Sequence, residues 1–419
     1  MIFPRKIFYG WLVVFCSILL MSLSVGMFTN TNSLFVKPVC QSLDFSRGGF
    51  TLYRTIVLLT GALTLTFYGR LAKKIGVKKI LAAGALMVSL VSIGYSFSTK
   101  LWQFYILAFV HGLFLNGINF MTVGVLVSSW FNGKKGLATG LAYSGSGLGG
   151  VIMIPIVGRI IEQQGWQWAY RFMGILGIAL MLPVIIIFIK NNPEAMGLSP
   201  FAQDESEQKM NVTLDNLSFR EALHSPKLWL LVTGLFFINS FSTSLNTHSA
   251  PYFSDLGYSA VYISYIMAFY MFFLTAGKIT LGSVYDRFGA MAGNVFISVF
   301  SLGFPVFAFF GHIPAMPWLY AMFVGTASCG VSVPVSTLVL RYFGKKDFHL
   351  IFSFCMMISN IAPSISTPVM GAVYDYTGSY RPGYVGYFFC SVIIAFCLIG
   401  VEIVARNYNR LTGSTSTSR

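Results

Sequence analysis

Twelve apolar runs, each about as long as a helix needs to cross the roughly 30 Å hydrocarbon core of a bilayer, take up most of this chain. They are read at Phe8–Phe35, Gly49–Tyr68, Ile80–Phe97, Trp102–Trp130, Leu137–Ile161, Tyr170–Ile189, Leu228–Pro251, Val261–Leu281, Ala292–Phe310, Trp318–Leu340, Leu350–Tyr374 and Val385–Val404. Membrane strands would be about half as long and would alternate polar with apolar residues, so a barrel is excluded. Charged residues make up 10% of the chain, against about 25% in a soluble domain, which leaves its bulk to lipid. The first run lacks a small-residue cleavage site and reads as a retained helix.

The formal net charge is +15, and its placement decides its meaning. Lys and Arg gather in alternate loops, with Arg70, Lys73, Lys74, Lys78 and Lys79 after the second run and Lys134 and Lys135 after the fourth. The loops between hold only Lys37, Arg47, Lys100 and Arg381. The positive-inside rule then puts both termini in the cytoplasm and implies a multi-pass protein of a bacterial cytoplasmic (inner) membrane. The basic balance is a topology signal that needs no nucleic acid. The expected partners are the bilayer, a substrate and protons, with a monomer as the working unit. Cys16, Cys40, Cys329, Cys355, Cys390 and Cys397 form no disulfide or metal pattern. With no GxxxxGK[ST] loop and no zinc-type spacing, neither ATP, a metal nor a cofactor is expected.

The longest polar stretch lies between the sixth and seventh runs and divides the spans six and six. The expected organisation is an N-terminal half (1–190), a cytoplasmic linker (191–226) with a short helix near Ser218–Leu223, a C-terminal half (227–406) and a Ser/Thr-rich disordered tail (407–419). Two short loops read as imperfect copies, Gly69-Arg70-Leu71-Ala72-Lys73-Lys74-Ile75-Gly76 and Gly282-Ser283-Val284-Tyr285-Asp286-Arg287-Phe288-Gly289. A loop duplicated in this way is how transporters with internal repeats are built. The predicted fold is an all-α membrane protein with twelve transmembrane helices in two pseudo-symmetric six-helix halves.

Gly282-x-x-x-Asp286-Arg287-x-Gly289 resembles the signature loop of the major facilitator superfamily. Trp130-Phe131-x-x-x-Lys135-Gly136-x-Ala138-x-Gly140 and Gly165-Trp166 are similar to further motifs of that superfamily. Within it the chain resembles the monocarboxylate porters and the oxalate–formate antiporter group. That likeness lies in Tyr9-Gly10-Trp11, Pro193-Glu194-x-x-Gly197-Leu198-x-Pro200 and His248-x-x-Pro251-Tyr252. The resemblance implies the major facilitator fold and a gating role for Asp286, Arg287, Gly282, Gly69 and Lys73. Lys73 is a departure, because the family has Asp there.

Lys278 is the sharpest candidate for substrate binding. It lies eight residues before Asp286, hence about 12 Å from the end of its helix, near the membrane midplane. A charge there costs about 2.5–3.5 kcal/mol, which an entering anion would offset. The resemblance adds that an Arg at this position binds the substrate carboxylate; Lys offers a point charge and no two-donor fork. The competing reading is a structural lysine that snorkels to the surface.

Arg54, within the second run, is either a second anion contact or an interfacial anchor. His248 sits above a polar stripe of Asn239, Thr243 and Asn246 that shares one helical face. It contacts substrate, takes a proton, or makes a structural hydrogen bond. Asn116 and Asn119 are cavity groups or helix–helix bonds, and His111 on the same span is weaker. Tyr374 is expected to line the second half, with Phe273 among the apolar walls.

Glu402 is the one carboxylate well inside a span. The resemblance implies an Asp four residues before the binding cation in proton-coupled porters, and here that residue is Leu274. The function expected is secondary active transport of a small organic anion, a monocarboxylate such as lactate or pyruvate, by proton symport through alternating access. Exchange of the oxalate–formate type stays open, as does a non-transporting sensor. A membrane enzyme would need a nucleophile–base set or metal cluster at one depth, and none is visible.

Overall fold

Left-handed backbone at fixed intervals divides this chain into helices. The computed structural model describes residues 8–131, 135–196, 217–331, 333–344 and 346–413. The fold is all-helical. The helices are α1 (Tyr9–Met21), α2 (Ser33–Leu43), α3 (Arg47–Ile75), α4 (Val77–Tyr95), α5 (Leu101–Leu115), α6 (Phe120–Trp130), α7 (Lys135–Gln164) and α8 (Trp166–Phe188). They continue as α9 (Phe219–Leu223), α10 (Pro226–Asp255), α11 (Ala260–Phe309), α12 (Met316–Ser328), α13 (Val333–Phe343), α14 (Phe348–Thr377) and α15 (Arg381–Gly413).

Ten described helical segments are long and apolar enough to cross a membrane. The second and tenth places in the predicted order of twelve hold α3 and the pair α12–α13. The predicted first span comprises α1, a π-helical stretch over Ser22–Met27 and α2. α15 runs on to Gly413, into the stretch expected to be a disordered tail from 407; residues 414–419 lie outside the described ones, as do 197–216 of the linker.

The repeat suggested by the duplicated loop runs through the backbone. Positive φ occurs at Asp44 (55°) and Gly257 (91°), at Gly76 (86°) and Gly289 (81°), and at Gly165 (90°) and Gly378 (68°). The members of every pair stand 213 positions apart, as do Gly69 and Gly282 of the two loop copies. Glycine enters this region without steric cost, and Asp is among the few other residues that tolerate it. The fourth and tenth spans are each broken by a 3₁₀ turn, Asn116–Ile118 and Cys329–Val331, at the same 213-residue interval.

Two compact units emerge. One comprises Met1–Lys209 with Ser249–Met271, the other Met210–His248 with Phe272–Arg419. The linear division puts 249–271 in the second half; in the structure this stretch packs with the first. Its ties there are ionic and steric, because Arg47 and Lys37 hold Asp255 while Gly158 leaves room for Ser264.

Lipid gives helices no hydrophobic reason to associate, so close packing and polar bonds must do so. In the first unit α7 presents Gly145 and Gly149 to α1 and the π-helical turn. A methyl added at either glycine would overlap the carbonyl of Ile18 or Ser22. One added at Gly26 would lie 2.6 Å from the Gly149 Cα. Ser22 Oγ donates to the Gly145 carbonyl at 2.9 Å and Asn30 Nδ2 to that of Ser146 at 3.0 Å.

In the second unit α10 and α14 are joined by polar bonds. Pro363 has no N–H to give the Ser359 carbonyl four residues earlier; Asn239 Nδ2 donates to it at 3.0 Å. Ser366 Oγ donates to the Ser240 carbonyl at 3.0 Å. The short linker helix forms where the sequence placed it, as α9, with Ser218 and Glu221 making a capping box. Its first amide, Phe219 N, donates to Asp347 Oδ2 at 2.7 Å, tying the linker to the start of α14.

Candidate functional site

The second unit holds Lys278 on α11. It is half-buried and follows Gly277, where an added methyl would touch the Thr326 Cα at 3.3 Å and Cys329 Sγ at 3.4 Å. Lys278 therefore lies beside the 3₁₀ break of the tenth span, within electrostatic reach of Cys329. Among the described residues no side chain pairs with its ammonium or hydrogen-bonds it. Among the described residues of the second unit, the buried Glu402 is paired. Glu402 accepts from Arg341 Nη2 at 3.2 Å and from Tyr342 Oη at 2.7 Å.

His248, on α10, is fully buried. Its Nε2–H donates to the Thr367 carbonyl at 2.9 Å, and Nδ1 faces Tyr380 Oη at 3.3 Å. Both ring nitrogens are engaged with α14 and the start of α15, which is a positioning geometry. The polar stripe below it divides. Asn239 bonds α14 and Thr243 Oγ1 donates to Asn239 Oδ1 at 3.2 Å, while the buried Asn246 Oδ1 has no partner among the described residues. Tyr374 stacks on Tyr380 with centroids 4.6 Å apart, and Phe273 packs edge-on against Phe272 at 5.4 Å.

The first unit holds Arg54 on α3, only 4% exposed. Its buried Nε has no hydrogen-bond partner, and no carboxylate pairs with it among the described residues. Three further helices converge on it. Tyr95 ends α4, His111 lies on α5 and Tyr170 on α8; Arg54 is within electrostatic reach of all three. The Tyr95 ring lies 5.3 Å from Tyr170, 5.9 Å from Tyr53 and 6.4 Å from His111, centroid to centroid. Both ring nitrogens of His111 and the hydroxyl of Tyr95 are buried without a partner among the described residues. The Tyr170 hydroxyl faces Tyr53, whose Oη donates to Asn32 Oδ1 at 3.2 Å.

Asn116 and Asn119, by contrast, serve the helices. Asn116 Nδ2 donates to the Gly61 carbonyl at 2.6 Å, closing the 3₁₀ break onto α3. Asn119 Oδ1 accepts from Phe120 N at 2.8 Å as the N-cap of α6. Of the residues expected to gate, Arg287 is exposed and Gly282 has open space around it. The side chains of Lys73 and Asp286, and the environment of Gly69, lie outside the described set.

Sequence reasoning did not bring Tyr95 and Tyr170 to Arg54, nor pair Arg47 with Asp255. One signal was available: Arg47 and Arg54 are seven apart and share a helical face. Each unit thus holds an interior cation, Lys278 or Arg54, with no carboxylate partner among the described residues.

An all-helical, internally repeated membrane protein with unpaired interior cations is the architecture of a secondary transporter. The Major Facilitator Superfamily model matches residues 11–367 and 237–410, and the chain belongs to that family. It is 22% identical over 396 residues to the uncharacterized MFS-type transporter YcxA of Bacillus subtilis, covering 91% of each chain. It is 26% identical to the oxalate:formate antiporter of Oxalobacter formigenes, over 73% of this chain and 70% of that one. It is also 26% identical to monocarboxylate transporter 12 of Mus musculus, over 77% of this chain and 71% of that one. A solved structure of the nucleoside transporter NupG superposes with a TM-score of 0.71 at 12% identity, covering 94% of this chain and 99% of that one. That likeness shows the fold.

Proposed function

We propose that the chain carries a small organic anion, a monocarboxylate such as lactate or pyruvate, across a bacterial cytoplasmic membrane. Both termini lie on the cytoplasmic side. The observation that carries the reading is Lys278, a cation within a membrane-spanning helix that no described carboxylate offsets. Such a charge costs about 2.5–3.5 kcal/mol, and a carboxylate arriving from water with its own charge cancels that cost when it binds. Asn246, with its unpartnered oxygen, is the neutral group proposed to orient the substrate. Tyr374 and Phe273 supply ring surface. His248 holds α10 against α14. The Asp286–Arg287 loop, its glycine at 282 and the first-half copy at Gly69 and Lys73 gate the cytoplasmic side.

Anion uptake against an inside-negative potential costs about 2.3 kcal/mol per charge per 100 mV, so it needs a proton or a counter-anion. Proton symport is the proposed coupling. Exchange is the second reading, favoured by the similarity to an oxalate:formate antiporter and by Leu274 standing where a proton-carrying Asp is expected. The test is uptake of labelled L-lactate into proteoliposomes, with and without an inward proton gradient, by the unaltered protein and by Lys278→Gln. Gradient-driven accumulation that is lost in the variant is expected. Transport by Lys278→Gln at the unaltered rate would refute the assignment. Uptake only into vesicles preloaded with an anion would establish exchange.

A further inference from the structure

The first unit contains polar chemistry that its packing leaves unused. Arg54 and His111 are 4% and 5% exposed, and Tyr95 and Tyr170 are each 3% exposed. Among the described residues Arg54 Nε, both His111 ring nitrogens, Tyr95 Oη and Tyr170 Oη find no hydrogen-bond partner. A buried polar group without a partner is costly, and a buried cation without one more so. Five such atoms lie on four helices around one guanidinium.

The internal repeat removes a scaffold explanation. The positions 213 residues later are Met267, Ala308, Val324 and Gly383, so the second half builds the same fold with none of these groups.

We propose that Arg54, Tyr95, His111 and Tyr170 form a site that binds one carboxylate together with one proton. The guanidinium holds the carboxylate through its two-donor fork, and the Tyr95 and Tyr170 hydroxyls donate to its remaining lone pairs. The proton comes from water and goes to a ring nitrogen of His111; no covalent bond is made or broken in the ligand. The titratable and charged groups around His111 are Arg54 and Tyr53 on α3, Tyr95 on α4 and Tyr170 on α8, with no carboxylate among them. Beside an uncompensated Arg54, a second positive charge on His111 is repelled. A carboxylate on Arg54 cancels that repulsion, and the anion and the proton enter together. This rests on the transport reading above and gives it a coupling residue.

Calorimetric titration of the purified full-length protein with L-lactate, pyruvate and oxalate tests the site, in two buffers of different ionisation heat that report protons taken up. The unaltered protein should bind one of these acids with uptake of about one proton. Arg54→Gln should weaken binding about tenfold or more, while its melting temperature stays level or rises, because an uncompensated buried charge has gone. Tyr170→Phe, which removes only a hydroxyl, should weaken binding about fivefold. His111→Gln should keep the anion and lose the proton. Binding unchanged in both Arg54→Gln and Tyr170→Phe overturns the site and leaves the transport reading standing, more so if Lys278→Gln abolishes binding. Unchanged proton uptake in His111→Gln overturns the proton assignment. No binding of any of the three acids by the unaltered protein overturns the transport reading, and the site with it.

Discussion

Asp255, the last residue of α10, accepts from both terminal nitrogens of Arg47, the first residue of α3, at 2.6 and 2.9 Å. Lys37 Nζ adds a third contact at 3.0 Å. Asp255 and Arg47 each stand at the wrong end of a helix, a carboxylate at a C-terminus and a guanidinium at an N-terminus. Each charge offsets the other's conflict with its helix dipole. Asp255→Asn should destabilise the protein by about 2 kcal/mol, because Lys37 and the buried Arg47 lose the carboxylate they share. The double variant with Arg47→Gln should recover part of that loss. Thermal unfolding of the three variants in detergent measures it, and equal costs for single and double variants would contradict the pairing.

The α1–α7 crossing depends on missing side chains. Gly149→Ala would press a methyl into the Ser22 carbonyl, and Gly145→Ala into that of Ile18. Each should cost about 1–3 kcal/mol through overpacking. Gly140→Ala, on the same helix with nothing within 4 Å, is the control. Melting temperatures that fall for positions 145 and 149 and hold for 140 are the expected pattern.

His248 is fixed by two bonds, so its loss should be felt in stability and not in coupling. His248→Gln should lower stability by about 1–2 kcal/mol, the cost of losing its bonds to the Thr367 carbonyl and the Tyr380 hydroxyl. Proton uptake per anion should not change. A variant that stays as stable as the parent but transports without proton coupling would return His248 to the site.

Linker docking should depend on acid pH. The Ser218 backbone N–H, at 2.6 Å, holds the Glu221 carboxyl below its ordinary value near 4.5. A group whose folded value is depressed contributes stability above its unfolded value and loses it as pH falls through the folded one. Amide exchange at Phe219–Ala222, corrected for intrinsic rates, should quicken as pH drops below that range. Glu221→Gln should abolish the dependence, and a variant with the parent's pH profile would exclude the capping box as its cause.

Lys278→Arg should retain anion binding that Lys278→Gln loses, because charge is what the site supplies. Its selectivity should shift toward planar, bidentate acids, since guanidinium brings a fork. Competition by formate and oxalate against labelled L-lactate reads this out. Identical profiles for the Lys and Arg forms would remove Lys278 from direct contact.

Much of the fold could be read from the residues themselves. Runs of about 20 apolar residues specify spans, because lipid cannot satisfy a bare backbone. Gly76 separates α3 from α4 and Gly289 breaks α11 at the matching place because left-handed backbone suits glycine, and the linker helix announced itself in Ser218 and Glu221. Lys278 was visible as a charge in the wrong solvent. The polar groups were not legible in this way. Asn116, Asn119 and His248 read as site residues by the same rule that flagged Arg54 and His111. A polar side chain in an apolar run says only that a partner is needed.

Sequence alone therefore determined the all-helical membrane class, the repeat and the family, all of which follow from local chemistry and spacing. Tertiary structure decided which polar residues are already satisfied. The Gly61 carbonyl reaches Asn116 from 55 residues away, and the Thr367 carbonyl reaches His248 from 119. Tyr95 and Tyr170 come to Arg54 only because α3, α4 and α8 pack together. Hydrogen bonds and charges act over a few ångströms in space, and nothing in the linear order fixes which distant groups those ångströms will join.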